Sequence, residues 1–355
     1  MLVRHCTIAA IGLLAASFVH AAGQRSFVST SGVNNSACSI VSPCRDFTAA
    51  LAATSANGEI IVLDSGGYGA ATIGQSVSII APPGVYAGIS VAAGDGITVA
   101  AGPTGKVTLR GLTINGQGGN RGIVVTSASE VQIEHCTVTN MATDGIRIDG
   151  SSIVGIRSTL VRSNAASGLN AAAGAPAIRV TDSQFARNGL YGILVASGSL
   201  DAERITADQN ASNGVRVQPT TATSVSVTLS DSALTGNGKT GAVAIPDLAG
   251  STAIVAVVRT TSARNTGGGF GTRTFNLGTS FLTVSNSAAV ENAGNGVIST
   301  DTNATAIVTG STIARNTGAD FDQSNGSVLR SSTNNTLTGR GVPDVNGTVT
   351  PNPPQ

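Results

Sequence analysis

Residues 178–195 read IRVTDSQFARNGLYGILV, and residues 200–217 read LDAERITADQNASNGVRV. Laid over one another they share a frame. Two apolar residues sit one apart, then comes a corner, a third apolar residue, an asparagine (Asn188, Asn210), and four residues later a glycine (Gly192, Gly214) that opens a new apolar alternation. Period-two segments of three to five residues, broken by turns, are short β-strands. The same frame extends outward to Asn164/Gly168, Asn237/Gly241, Asn265/Gly269 and Asn292/Gly296, with an imperfect last copy at Asn316. Successive asparagines are 24, 22, 27, 28, 27 and 24 residues apart. Self-similarity at such a period marks a solenoid in which each repeat is one coil.

With the asparagine as slot 0, Met141 fills that slot one coil earlier and Gln117 the coil before. Apolar residues fall at slots −10, −8 and −3, as in Val227, Leu229 and Leu234, or Leu282, Val284 and Ala289. The β-branched content and the breakers exclude a helix-pair repeat. The expected fold is therefore all-β, a right-handed parallel β-helix of about ten coils spaced ~4.8 Å apart. Slot −5 is a column of small, mostly polar residues: Cys136, Thr159, Ser183, Ile205, Ser232, Thr260, Ser287 and Ser311. Slot 0 is read as a ladder in which each amide donates to the carbonyl of the next coil's amide, so that the polar groups are satisfied inside the stack.

The flanks divide the chain. Arg4 and His5 precede an apolar run at residues 8–19, and Val19-His20-Ala21 ends small. That is the pattern of an export signal covering residues 1–21, too short to span a bilayer, with cleavage expected after Ala21 or Ala22. The predicted location is secreted or periplasmic. Residues 22–58 form a leader, with a strand at 26–29 and a helix N-capped by Ser42, with Pro43 first inside it, and stopped by Asn57-Gly58. The amphipathic helix is placed to cap the first coil. A strand follows at residues 59–64, the solenoid spans 59–333, and 334–355 is expected to be a partial cap and a disordered tail. Cys38 and Cys44 are expected to pair in an oxidising compartment, leaving Cys136 as a buried thiol.

Composition removes several function classes. Only 11% of residues are charged, the formal net charge is +1, and there is no Trp. No basic footprint for nucleic acid is visible, and no later segment is long and apolar enough to span a membrane. Gly238-Lys239-Thr240 ends like a phosphate loop, but Ala233 stands where its first glycine belongs. Gly116-Gln117-Gly118 meets Arg121 where a dinucleotide fingerprint needs glycine. One His and three Cys outside the signal leave no zinc site.

The segment from Pro43 to Tyr68, followed by coils of the form apolar-x-apolar-x-x-Ser-x-apolar-x-x-Asn-x-x-x-Gly, resembles the right-handed parallel β-helix, pectin-lyase-like superfamily. EIIVLD (59–64) and APPGVY (81–86) look most like its uncharacterised exported bacterial repeat proteins. The resemblance covers residues 43–330 and implies fold far more than activity. Polygalacturonases carry an Asp-Asp pair, a Gly-His and an Arg-Ile-Lys. This chain has no adjacent Asp pair, His135 follows Glu134, and Arg147-Ile148-Asp149 lacks the lysine. The Trp-Ile-Asp-His segment of pectate lyases is matched only by Ile148-Asp149.

Charged side chains nevertheless stack. Slot −6 holds His135, Ser158, Asp182, Arg204, Asp231, Arg259 and Asn286, and slot −1 holds Arg264, Glu291 and Arg315. The simplest reading is a pair of salt-bridge ladders on adjacent coils. The sharper one is a glycan-cleaving site built from Asp182, Arg204 and Asp231, or from Asp144, Arg147 and Asp149. Two carboxylates two coils apart would stand roughly 9–10 Å from each other, at the upper edge of inverting-glycosidase spacing. Arg204 between them would depress both, the wrong direction for a general acid. His135, Ser158 and Asp182 run in the wrong order for a triad, because Ser, not His, lies in the middle. The function expected is a scaffold or binding surface for extracellular or cell-wall polysaccharide. The alternatives are a polysaccharide lyase or glycoside hydrolase, and an adhesin or tailspike-like fibre. No cofactor is expected, and calcium only if the protein is a lyase.

Overall fold

The computed structural model describes residues 23–275, 277–339 and 344–352. The expected export signal, its cleavage point and the last three residues lie outside these. Each complete coil contributes one strand to each of three parallel sheets, of 14, 12 and 12 strands, the first sheet being the longer by two. A typical coil runs from the first sheet (Ile153–Arg157) to the second (Leu160–Arg162) to the third (Leu169–Ala171) and back to the first (Ala177–Thr181). About twelve coils stack, where ten were expected, because irregular coils at both ends also pair. Gly23–Val28 lies beside Thr54–Val62, and Val349–Pro351 beside Val328–Ser331. Strands thus run past the 59–333 span at both ends, and residues 349–351 pair into the first sheet.

Inward residues alternate with outward ones in every strand. Val227, Leu229, Leu234, Leu282, Val284 and Ala289 are all buried in one continuous core. At slot 0 all seven asparagines are buried as well. The Nδ2 of Asn210 donates to Asn237 Oδ1 (3.0 Å) and to the Phe185 carbonyl (3.0 Å). Asn237 Oδ1 also accepts the backbone N–H of Asn210 (3.1 Å). Each amide in mid-ladder therefore uses both donors and both acceptor positions, which is why a polar column survives in an apolar core. The glycine at slot +4 follows from this stacking. A Cβ on Gly168 would stand 2.7 Å from the Gly192 carbonyl and 2.9 Å from Asn188 Nδ2.

The ladder ends on a substitution. At the last copy, slot +4 is Asp320 instead of glycine, and its buried carboxylate accepts from Asn316 Nδ2 (2.9 Å) where no further asparagine follows. Slot −5 forms a second ladder. The Thr260 N–H donates to Ser287 Oγ (3.1 Å) and the Ile205 N–H to Ser232 Oγ (3.1 Å), while Ser232 Oγ donates to the Ser230 carbonyl (2.7 Å). Cys136 stands in this column, buried, its thiol pushed up to about 11 by burial.

The N-terminal helix is Phe47–Ala53, capped by Asp46, whose carboxylate accepts from the Ala49 N–H at 2.8 Å. Ser42 and Pro43 do not start it. They lie in the loop closed by the Cys38–Cys44 disulfide, and the Cys44 N–H is spent on the Phe27 carbonyl. Nor does Asn57-Gly58 stop the helix. Thr54 does so three residues earlier, its Oγ1 bonding to the Ala50 carbonyl (2.6 Å), and the next strand is Thr54–Val62 rather than 59–64. Phe47, Ala50 and Ala53 bury one face, with the Phe47 and Tyr68 rings 5.5 Å apart.

Candidate functional site

The corner between the first and second sheets is a single residue in the left-handed region, and it is slot −6. His135, Ser158, Asp182, Arg204, Asp231, Arg259 and Asn286 all have φ between 47° and 52°. Non-glycine residues adopt this conformation at some cost. Here each corner N–H is paired with the next coil, as in Asp182 to the Glu203 carbonyl and Arg204 to the Ser230 carbonyl. The side chains point outward and pair two by two, so the expected continuous ladder is interrupted between Arg204 and Asp231. Arg204 holds Asp182 in a forked pair (2.7 and 3.1 Å), and Arg259 holds Asp231 in another (2.7 and 2.7 Å). Slot −1 behaves alike, with Glu291 between Arg315 (2.6 Å) and Arg264 (3.6 Å).

These pairs set the chemistry. The hydrogen bond from Arg204 keeps the Asp182 carboxyl below the usual carboxylate range, and Arg259 does the same to Asp231, with Arg204 adding only its more distant charge. Neither acid holds a proton near neutral pH, so neither is set up as a general acid. His135 is exposed and is followed in its column by Ser158 and then Asp182, so no triad forms.

Beside this corner the outer face of the first sheet carries a groove of about 620 Å³ across the strands from Gln132 to Glu203. Gln132, lying against Gly155, and the exposed Ile153 line it together with Ala177 and the charged Arg157, Arg179, Asp182, Asp201, Glu203 and Arg204. Arg179 reaches Glu203 at 3.5 Å. Arg157 and Asp201 make no side-chain hydrogen bond or ion pair with the described residues. Reading slots −6 and −1 alone missed both. They occupy slots −7 and −9, the outward positions that flank apolar slot −8, and that alternation was the available signal.

The second candidate group is on another face. Arg147 lies on the third sheet, donating to Asp149 (2.9 Å) and to the buried Asp144 (3.4 Å). Asp144 also accepts from the Ser167 N–H (3.0 Å) and Asn170 Nδ2 (2.9 Å). Arg121 extends the network to Asp95 (2.8 Å). Asp144 and Asp149 are thus turned onto a guanidinium rather than onto a common open point, and they do not share a site with Asp182 and Asp231. They do not fit a calcium ion, and among the described residues no three His, Cys, Asp or Glu side chains are grouped to hold a metal.

The family described as right handed beta helix region matches residues 59–211 and 104–252, together more than half of the chain. Among solved structures, pectate lyase Pel9A superposes with a TM-score of 0.52 at 15% identity, over 91% of this chain and 78% of that one. The A-module of the Azotobacter vinelandii mannuronan C-5 epimerase AlgE6 gives 0.54 at 15%, over 84% and 91%. The enzymatically active domain of bacteriophage CBA120 tailspike protein 2 gives 0.55 at 14%, over 79% of this chain but only 50% of that one. At these identities the likeness is one of fold. No curated protein matches the sequence.

Proposed function

The chain belongs to the right-handed β-helix family, and on that premise we propose that it is an exported scaffold whose first sheet offers a binding surface for extracellular or cell-wall polysaccharide. The observation that carries this is the groove over four adjacent strands. Its length suits a polymer. Its free groups, Arg157 and Asp201, suit polar contacts to sugar hydroxyls, and its remaining acids are tied to arginines. Export is supported by the apolar run at residues 8–19 and by the Cys38–Cys44 disulfide. Among the described residues no helix is long and apolar enough to cross a membrane.

The test exposes mature protein, with and without calcium, to a panel of acidic and neutral polysaccharides. Retention is read by affinity electrophoresis and soluble products by mass spectrometry. Retention without fragments, lost in Arg157→Ala and Asp201→Ala, is the expected result. Fragments lacking one water would establish a lyase, and hydrolysed fragments a hydrolase. Two of the neighbours above are named as a pectate lyase and an epimerase, so the enzymatic arm has to be run. A stable trimer in sedimentation would favour the fibre reading instead.

A further inference from the structure

The outer face of the third sheet changes character along the rod. Its central outward column runs Arg147, Asn170, Leu194, Arg216, Val243, Gly271, Ile298, Asp322 and Asn346. Polar at both ends, the column turns apolar from Val243 to Ile298. There Ile245 joins Val243 and Ile298 as the floor of a second groove of about 280 Å³. Outward-facing Val243 and Ile245 are only 6% and 8% exposed.

Two features make this groove a built one. The repeats of 27, 28 and 27 residues place additional length between the third sheet and the first, and from these returns Ile245 and Phe275 line the groove. The second feature is Gly271. A Cβ there would meet nothing closer than Val243 Cγ2 at 3.4 Å, an ordinary contact, and its φ is not in the left-handed region. Neighbouring Gly269 differs, since its Cβ would lie 2.5 Å from the Gly296 carbonyl. Gly269 is required by the stack. Gly271 is not, and what its missing side chain leaves is space on the surface.

The rim is cationic and partly immobilised. Arg216 hydrogen-bonds Gln218 (2.7 Å) and lies 5.6 Å from the Tyr191 ring centre, and Arg273 lies 4.0 Å from that of Phe275. Asp247 stands 3.9 Å from Arg216, and Asp301 pairs with Arg273 at 3.2 Å. The ammonium of Lys239 has no such partner among the described residues, so the rim carries one uncompensated positive charge.

From this we infer that the third-sheet groove binds a small amphipathic carboxylate, an aliphatic or aromatic body with one anionic head, its body on Val243, Ile245, Gly271 and Ile298 and its head at Lys239. Asn213, Thr240 and Thr300 also line the groove, but its aliphatic floor would strip sugar hydroxyls of water without replacing it, whereas it suits a hydrocarbon body. The volume sits just under the roughly 300–1,000 Å³ of ligand pockets, which limits the guest to a small molecule. The inference is independent of the polysaccharide reading, because the groove is on a different sheet.

Titration calorimetry of the mature protein with octanoate tests it, beside 1-octanol, octylammonium and trigalacturonate. Octanoate is expected to bind saturably and about tenfold more tightly than the other three, a difference of about 1.4 kcal/mol. Gly271→Val, which fills the hollow, should abolish binding without lowering the melting temperature. Lys239→Gln, at an exposed side chain that folding does not need, should bring octanoate down to the level of 1-octanol. Octanoate failing to saturate, octylammonium or trigalacturonate binding as well, or Lys239→Gln leaving the affinity unchanged would each overturn the assignment.

Discussion

Two polar columns run through successive coils, one inside the stack and one at its corner, and they behave differently. The asparagines fill slot 0 in seven successive coils and Asp or Arg fills slot −6 in four of them, and both bond to the residue above or below. The asparagines are buried, and each depends on its neighbours for every donor and acceptor. The corner charges stand in water and can trade a partner for solvent. A hydrogen bond contributes little net stability when water can replace it, and leaving it unmade costs much when water cannot reach. The same sequence periodicity therefore describes one column that holds the fold together and another that decorates it.

The sharpest way to break the comparison is Asn237→Ala. It orphans the backbone N–H of Asn210 and one of its two Nδ2 hydrogens, and removes a donor from the Ala207 carbonyl and from Asn265 Oδ1. A loss of about 3–4 kcal/mol is expected in urea unfolding. Gly168→Ala attacks the same column by crowding, forcing a methyl against the Gly192 carbonyl, and should cost about 1–3 kcal/mol by the same measurement. Asp64 probes a buried-side acid at the capped end. Burial alone would raise it, but hydrogen bonds from Tyr68, the Thr30 N–H, Ser29 and the Thr30 hydroxyl outweigh that and hold it down to about 2. Because its folded value lies below the ordinary 3.8, its contribution is present above 3.8 and is lost as pH falls through about 2. Asp64→Asn should therefore flatten the acid limb of a stability–pH curve in that window and leave its slope above it unchanged. The smallest effect is predicted at the corner. Asp182→Asn with Asp231→Asn should leave the melting temperature unchanged within error at physiological salt, since exposed ion pairs are screened. A large drop there would place the corner column among the structural ones and erase the contrast.

The fold was legible because period two and the Asn-x-x-x-Gly frame are local patterns repeated many times, so errors in one coil are corrected by the next. The ends were not. Ser42-Pro43 is a sound helix start by itself, and only the disulfide loop and the pairing of Cys44 with Phe27 take it away. The hydroxyl column at slot −5 was visible as small residues, but its role depends on a backbone N–H one coil distant. The candidate site was half legible. Asp182, Arg204, Asp231 and Arg259 share one column as expected, but they form two separate pairs instead of a continuous ladder. Arg157 and Asp201, which carry the free charges of the first groove, are unremarkable residues in strands until neighbouring coils place them side by side.

What the sequence determined alone was the coil: its length, its inward and outward faces, its laddered amide and the place of its glycine, since each recurs at equivalent positions of adjacent repeats. What only the tertiary structure decided was everything between unlike positions. It showed that Asp144 and Asp149 face Arg147 on one sheet while Asp182 faces another, that Asp320 closes the amide ladder, and that Gly271 is empty surface while Gly269 is a steric necessity. Those distinctions depend on what lies across a corner or a sheet face, at separations where the repeat carries no information.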